Sequence, residues 1–80
     1  MSSAKALQAW IIQALESSGG KASLLYVAEH IWNNHRNELE ADKELFFTWQ
    51  YRMRWAATEL RKRGKLKPVE EAEQRAWELA

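Results

Sequence analysis

The side chains best suited to chemistry lie close together in this sequence. Between positions 48 and 67, Thr48, Gln50, Tyr51, Arg52, Arg54, Thr58, Arg61, Lys62, Lys65 and Lys67 supply guanidinium, ammonium, amide and hydroxyl groups, and Glu59 is the one carboxylate among them. Such groups suit a nucleic acid: Arg pairs with guanine and Gln with adenine at base edges in a major groove, while phosphates take the remaining cations. On a wheel advancing about 100° per residue, Trp49, Ala56, Ala57 and Leu60 fall within about 60° of Met53. That apolar seam leaves Tyr51, Arg54, Thr58 and Lys62 on the far side, Thr48 and Arg52 at one shoulder and Arg61 at the other.

A core helix with a solvated basic face has the same pattern, so the charge distribution has to separate the two readings. Residues 50–68 hold seven cations against Glu59, a local +6; residues 1–49 hold four against six acids, or −2; residues 69–80 hold Arg75 against four glutamates, or −3. The three figures sum to the +1 of the whole chain. A nearly neutral protein has gathered its positive charge on one helix and the segment after it, the footprint of a polyanion partner.

Other chemistry finds little material here. His30 and His35 are five apart, about 140° around a helix, whereas a zinc pair on one helix uses i, i+4 spacing. Both are expected at the surface, and no metal or cofactor is expected. Gly19-Gly20 reads as a helix stop, so there is no glycine-rich phosphate loop. With no cysteine, the chain holds neither disulfides nor a thiolate metal set.

Several elements must position the basic helix. Ser2 or Ser3 caps a first helix reaching about Ser17, in which Leu7, Trp10, Ile11, Ala14 and Leu15 recur at i, i+3, i+4, i+7, i+8 and Ile12 widens the stripe. So wide an apolar arc packs on two sides. Residues 21–23 suit a turn or a three-residue strand, and Ser23 can cap a second helix over residues 24–34. Leu24, Leu25, Ala28, Ile31 and Trp32 form its core face, with Tyr26, His30 and Asn33 pointing away. Residues 35–45 are acidic and lack a clear period; they are either a loop with one helical turn or a backward extension of the third helix. The third helix is expected over residues 47–63, with Gly64 as its left-handed stop. Lys65-Leu66-Lys67 alternates as a strand does, and Pro68 suits an edge. Trp77 and Leu79 would share one face of a strand, although the Glu, Ala, Gln and Leu of residues 70–80 equally favour a fourth helix.

Eighty residues make one domain, residues 1–80. A chain this size buries only about 60% of its unfolded surface, so its core must be dense in large side chains. Five Trp, two Tyr and two Phe supply that density. Trp10, Trp32, Trp49 and Trp77 fall on core faces, which leaves Tyr51 and Trp55 as aromatic contact candidates. No apolar run approaches the roughly 18 residues that span a bilayer, and Gln8 and Gln13 interrupt the Leu7–Leu15 stretch that a signal peptide would need. A cytoplasmic protein without membrane contact is expected.

The order of elements is that of a winged helix-turn-helix, and particular residues extend the likeness. Arg52-Met53-Arg54-Trp55-Ala56, Leu60-Arg61-Lys62, Gly64-Lys65-Leu66 and Arg75-Ala76-Trp77-Glu78-Leu79 resemble the N-terminal winged-helix domain of Mrr-type restriction endonucleases. That family's pattern is roughly Arg-Val-x-Trp-Ala, a Leu with two basic residues, Gly-Leu-Leu, then Arg-Gly-Val-Trp or Tyr. The match covers about the last thirty-five residues, and the first forty-five match in element order only. The resemblance implies an α+β, mostly helical fold with three helices and a C-terminal β-hairpin wing, in which Trp55 packs beside the sheet. It implies double-stranded DNA binding, as a regulator or as the recognition module of a restriction-type system. Two departures stand out: residues 68–75 read Pro-Val-Glu-Glu-Ala-Glu-Gln-Arg, an acidic tip that phosphates repel, and Ala76 replaces the usual Gly. Lys65, Lys67 and Arg75 remain as cations on the strands. The nuclease of that family needs Asp, then Glu or Gln, a spacer and Lys; the residues two before each lysine here are Ser3, Gly19, Ala41, Leu60, Arg63 and Lys65, so the chain is expected not to be an enzyme. The expected partners are duplex DNA, with a nuclease domain, another protein or a second copy compatible with it. The competing reading is a winged helix that serves protein interaction without DNA.

Overall fold

The computed structural model describes residues 3–68 and 76–80. Helix α1 (Ser3–Ser17) leads through strand β1 (Lys21–Ser23) to α2 (Leu24–Ala41) and α3 (Lys43–Lys62), and strand β2 (Ala76–Glu78) follows near the C-terminus. The fold is mostly helical with a small antiparallel sheet, β1 pairing with β2 in the register Lys21↔Glu78, Ala22↔Trp77, Ser23↔Ala76. On the other side of β2, Leu66 bridges Leu79, the Lys67 amide donates to the Glu78 carbonyl at 2.8 Å and the Ala80 amide to the Lys65 carbonyl at 3.1 Å. The C-terminal segment therefore runs between β1 and the stretch after α3. Residues 76–78 are strand and not a fourth helix, whereas the acidic tip at 69–75, with Arg75, lies outside the described residues along with the Ser2 cap.

The expected periodicity of α1 and α3 reappears as burial. Leu7, Ile11, Ala14 and Leu15 are fully buried, with Trp10 and Ile12 packed against them, and α1 touches both α2 and α3, as its wide arc requires. Along α3, Trp49, Met53, Ala56, Ala57 and Leu60 form the seam. Ala56 and Ala57 are small enough to let α1 and α3 approach closely. Trp77 and Leu66 close the core at the sheet end.

Helices α1 and α3 stop in the same way. Gly64, at φ +74°, follows the C-cap Arg63; the Lys65 amide donates to the Leu60 carbonyl at 2.8 Å and the Gly64 amide to Arg61 at 3.1 Å. The Gly20 amide donates to Leu15 at 2.6 Å and the Gly19 amide to Glu16 at 3.3 Å, with Gly19 at φ +85°. Both are six-to-one and five-to-two closures around a left-handed residue, a conformation that costs residues with a Cβ about 1–2 kcal/mol.

Three expectations are corrected. Residues 35–45 are neither a loop nor simply part of α3. Helix α2 continues to Ala41 across a break at His35 (φ −130°, ψ 22°), and α3 starts at Lys43, four residues earlier than its period suggests. Asp42 sets that start as N-cap, its carboxylate accepting the Leu45 amide at 3.1 Å, while Leu39 and Leu45 on either side are buried. On α2, Ser23 caps as expected, accepting the Tyr26 amide at 3.1 Å, and Ile31 is buried with Leu24, Ala28 and Trp32 packed against the core as expected. But Val27, not Leu25, completes that face, and Leu25 is 66% exposed. Trp55 does not pack beside the sheet. It sits opposite the seam with 57% of its surface in water, while the sheet meets the last turn of α3 through Arg61, whose guanidinium lies 5.9 Å from the Trp77 ring centre.

Candidate nucleic-acid interface on α3

Seen from solvent, the first two-thirds of α3 present alternating aromatic and polar groups. Phe47, Tyr51 and Trp55 follow each other at i, i+4, i+8 and are 72%, 62% and 57% exposed. Tyr51 and Trp55 meet edge to face, with ring centres 6.3 Å apart. Arg54 and Thr58 border the same strip and, with Tyr51 and Trp55, line a shallow depression of about 260 Å³. The Thr58 hydroxyl is satisfied by the Arg54 carbonyl at 3.2 Å, and the Arg54 guanidinium has no ionic or hydrogen-bonding partner among the described residues. Gln50 is exposed one turn earlier, on the rim of a cleft of about 560 Å³ between α2 and α3. Trp32 and Trp49 floor that cleft, their rings stacked at 6.3 Å.

Arg52 is held differently. Its Nη2 donates to Glu44 Oε1 at 2.7 Å and its Nε to Thr48 Oγ1 at 2.9 Å, while the Thr48 hydroxyl donates to the Glu44 carbonyl at 2.7 Å. Glu44, Thr48 and Arg52 thus form an i, i+4, i+8 ladder along one shoulder, committed within the helix. The ion pair is partly exposed and worth little to stability, yet it fixes where the guanidinium points.

Of the other cations in this segment, Lys62 alone shares the side of Arg54 among the described residues. Lys62 remains exposed on the far side of α3, loosely paired with Glu59 at 3.7 Å. Arg61 is half-buried over Trp77. Arg63 turns toward α1, donating to Gln8 Oε1 at 2.9 Å; with Lys5 and Lys65 it borders a groove of about 480 Å³ floored by Ala9, Ile12 and Leu60. Lys67 pairs with Glu78 across the sheet at 3.0 Å. Arg75 lies outside the described residues.

The histidines are tied into the fold. The His35 ring stacks on Trp10 at 4.2 Å, its Nδ1 contacts Glu38 Oε2 and its Nε2 contacts Gln13 Oε1, both at 2.8 Å. The break in α2 thus docks against α1. The hydrogen bond from His35 holds the Glu38 carboxyl below its ordinary value. A lowered carboxyl pKa stabilises the fold fully above the unfolded value, and the contribution fades as pH falls through the lowered one. Glu38→Gln is therefore expected to lower the melting temperature slightly near neutrality and to converge with the unaltered protein in acid, so that the acid limb of a plot of melting temperature against pH flattens. An unchanged acid limb would show that the contact does not couple to folding. His30 is half-buried rather than exposed; its Nδ1 has no hydrogen-bond partner and its ring stacks on Tyr26 at 6.2 Å. Among the described residues, no group of three His, Cys, Asp or Glu side chains is placed to hold a metal ion, and no helix is long and apolar enough to cross a membrane.

No protein-family model matches this chain, and neither a curated protein nor a solved structure does, so its function has to be read from its own side chains.

Proposed function

We propose that this chain is a winged helix-turn-helix domain of the kind found at the N-terminus of Mrr-type restriction endonucleases, and that it binds double-stranded DNA with α3 in the major groove. The fold half of this reading is supported by connectivity. A strand between the first two helices pairs with the C-terminal strand, whose other side is bridged by the segment leaving α3. The binding half rests on Arg54, an exposed guanidinium without an acidic partner among the described residues, flanked by Gln50, Tyr51 and Thr58. Those four are the base-reading candidates, with Arg61 and Lys62 toward phosphates. Thr48 and Arg52 brace the shoulder. Lys65 and Arg63 face α1 and are assigned no part in this contact, and Lys67 would first have to leave Glu78. The domain acts without catalysis or cofactor, in the cytoplasm, as a regulator or as the reader for a nuclease carried elsewhere.

A fluorescence titration with random duplex at several salt concentrations tests it. With Arg54, Arg61 and Lys62 on phosphates or bases, log Kd should rise with log salt at a slope of about 3. Binding insensitive to salt, or none, would remove the proposal. The bare aromatic strip on α3 favours a second reading, an interaction module for protein.

A further inference from the structure

We infer that the exposed face of α3 is the contact between two copies of this chain, packed antiparallel about a two-fold axis at Tyr51. The inference names a partner for the second reading and does not depend on DNA binding.

The strip is self-complementary. Phe47 and Trp55 lie four residues to either side of Tyr51, so turning a second α3 end over end sets Tyr51 beside Tyr51 and Phe47 beside Trp55. A two-fold contact requires this property: residue i meets j while j meets i. These three side chains are the natural members of a helix ridge at i±4 spacing, which packs into the groove of a facing helix.

Charge selects the same partner and the same direction. Asp42 and Glu44 stand at the start of α3 against Lys43, a net −1, and its last turn holds Arg61 and Lys62 against Glu59, a net +1, with Arg63 and Lys65 facing α1 instead. One end of α3 is acidic and the other basic. A parallel neighbour would set like ends together, while an antiparallel copy sets each acidic end near a basic one and opposes the two helix dipoles. A foreign partner would need an aromatic ladder with the reverse charge polarity; a second copy, inverted, has both.

Size sets the strength. At about 150–250 Å² per aromatic side chain, the three exposed rings offer roughly 400 Å² per copy, half the ~800 Å² per partner of a standard interface. Arg54 and Thr58 border them as a polar rim. The dimer is therefore weak, and it occupies the face that duplex DNA would use. DNA and dimer compete.

Sedimentation equilibrium of the protein alone tests this, from micromolar to millimolar concentration. The average mass should rise from one chain towards two. Tyr51→Glu, which places two carboxylates on the axis, should raise the dissociation constant at least tenfold, and so should the milder Trp55→Ala, both with unchanged far-UV circular dichroism because these side chains are exposed. Lys62→Glu, which reverses the exposed charge at the basic end of α3, should also weaken the dimer. A single-chain mass throughout the range, or a dimer that Trp55→Ala and Tyr51→Glu leave intact, overturns the inference. No DNA is present in the experiment, so its outcome is separate from the duplex-binding proposal.

Discussion

Met53→Ala is expected to lower the melting temperature by roughly 10–25 °C, a core truncation of about 2–5 kcal/mol taken through the 4–8 °C per kcal/mol of a domain this size. Met53 is 1% exposed, at the middle of the seam by which α3 joins the core. Its neighbours on that seam include Ala56 and Ala57, which have no spare atoms to move into the vacated space, so the cavity stays open and its cost is retained. The total stability of an eighty-residue domain is about 4–12 kcal/mol, and the loss is a large fraction of it. Six residues earlier on the same helix, Phe47→Ala removes a larger side chain that already sits in water. That change should move stability by no more than about 0.5 kcal/mol. Thermal melts of both variants check the contrast; equal shifts would mean that α3 is not docked through this face.

What was legible in the sequence was whatever a single helix period expresses. The seam of α3, the four buried positions of α1 and the two glycine stops follow from 3.6-residue spacing and from the need for a left-handed residue. The strand at 76–78 competed with good helix propensity. Pairing with β1 and burial of Trp77 override that propensity, and both are long-range effects that no local window contains. The break at His35 and the start of α3 were not legible because they depend on two contacts outside the period. His35 docks on Trp10 and Gln13 of α1, and Asp42 caps a helix whose first turn carries a single buried residue, Leu45.

The earlier start of α3 hid the ion-paired shoulder: once Lys43 begins the helix, Glu44 stands two turns below Arg52. Phe47, by contrast, lay within the expected helix four residues before Tyr51, and the aromatic strip was legible from spacing alone. The concentration of cations in residues 50–68 was legible, but their direction was not. Net charge along a sequence does not say that Arg63 turns back to Gln8, nor that Lys67 is taken by Glu78. Those contacts divide the basic segment between an α3 face and a groove beside α1, and the division can be tested one arginine at a time.

Arg54→Ala is expected to weaken duplex binding by about tenfold to a hundredfold, the 1–3 kcal/mol of a guanidinium at a base edge or phosphate, and to reduce the salt slope by about 1. The guanidinium has no described partner to lose, so folding should be untouched and the whole effect should appear in affinity. Arg52→Ala should cost less affinity, because its guanidinium is already engaged by Glu44 and Thr48 and would have to leave them to reach DNA. Arg63→Ala, on the α1 side, should leave affinity near that of the unaltered protein. Graded loss in the order Arg54, Arg52, Arg63, measured by duplex titration at one fixed salt concentration, would place the contact on the exposed strip of α3. If Arg63→Ala instead cost as much as Arg54→Ala, the polyanion would be held by the cations around the α1 groove, and the strip of Phe47, Tyr51 and Trp55 would be left to the second copy alone.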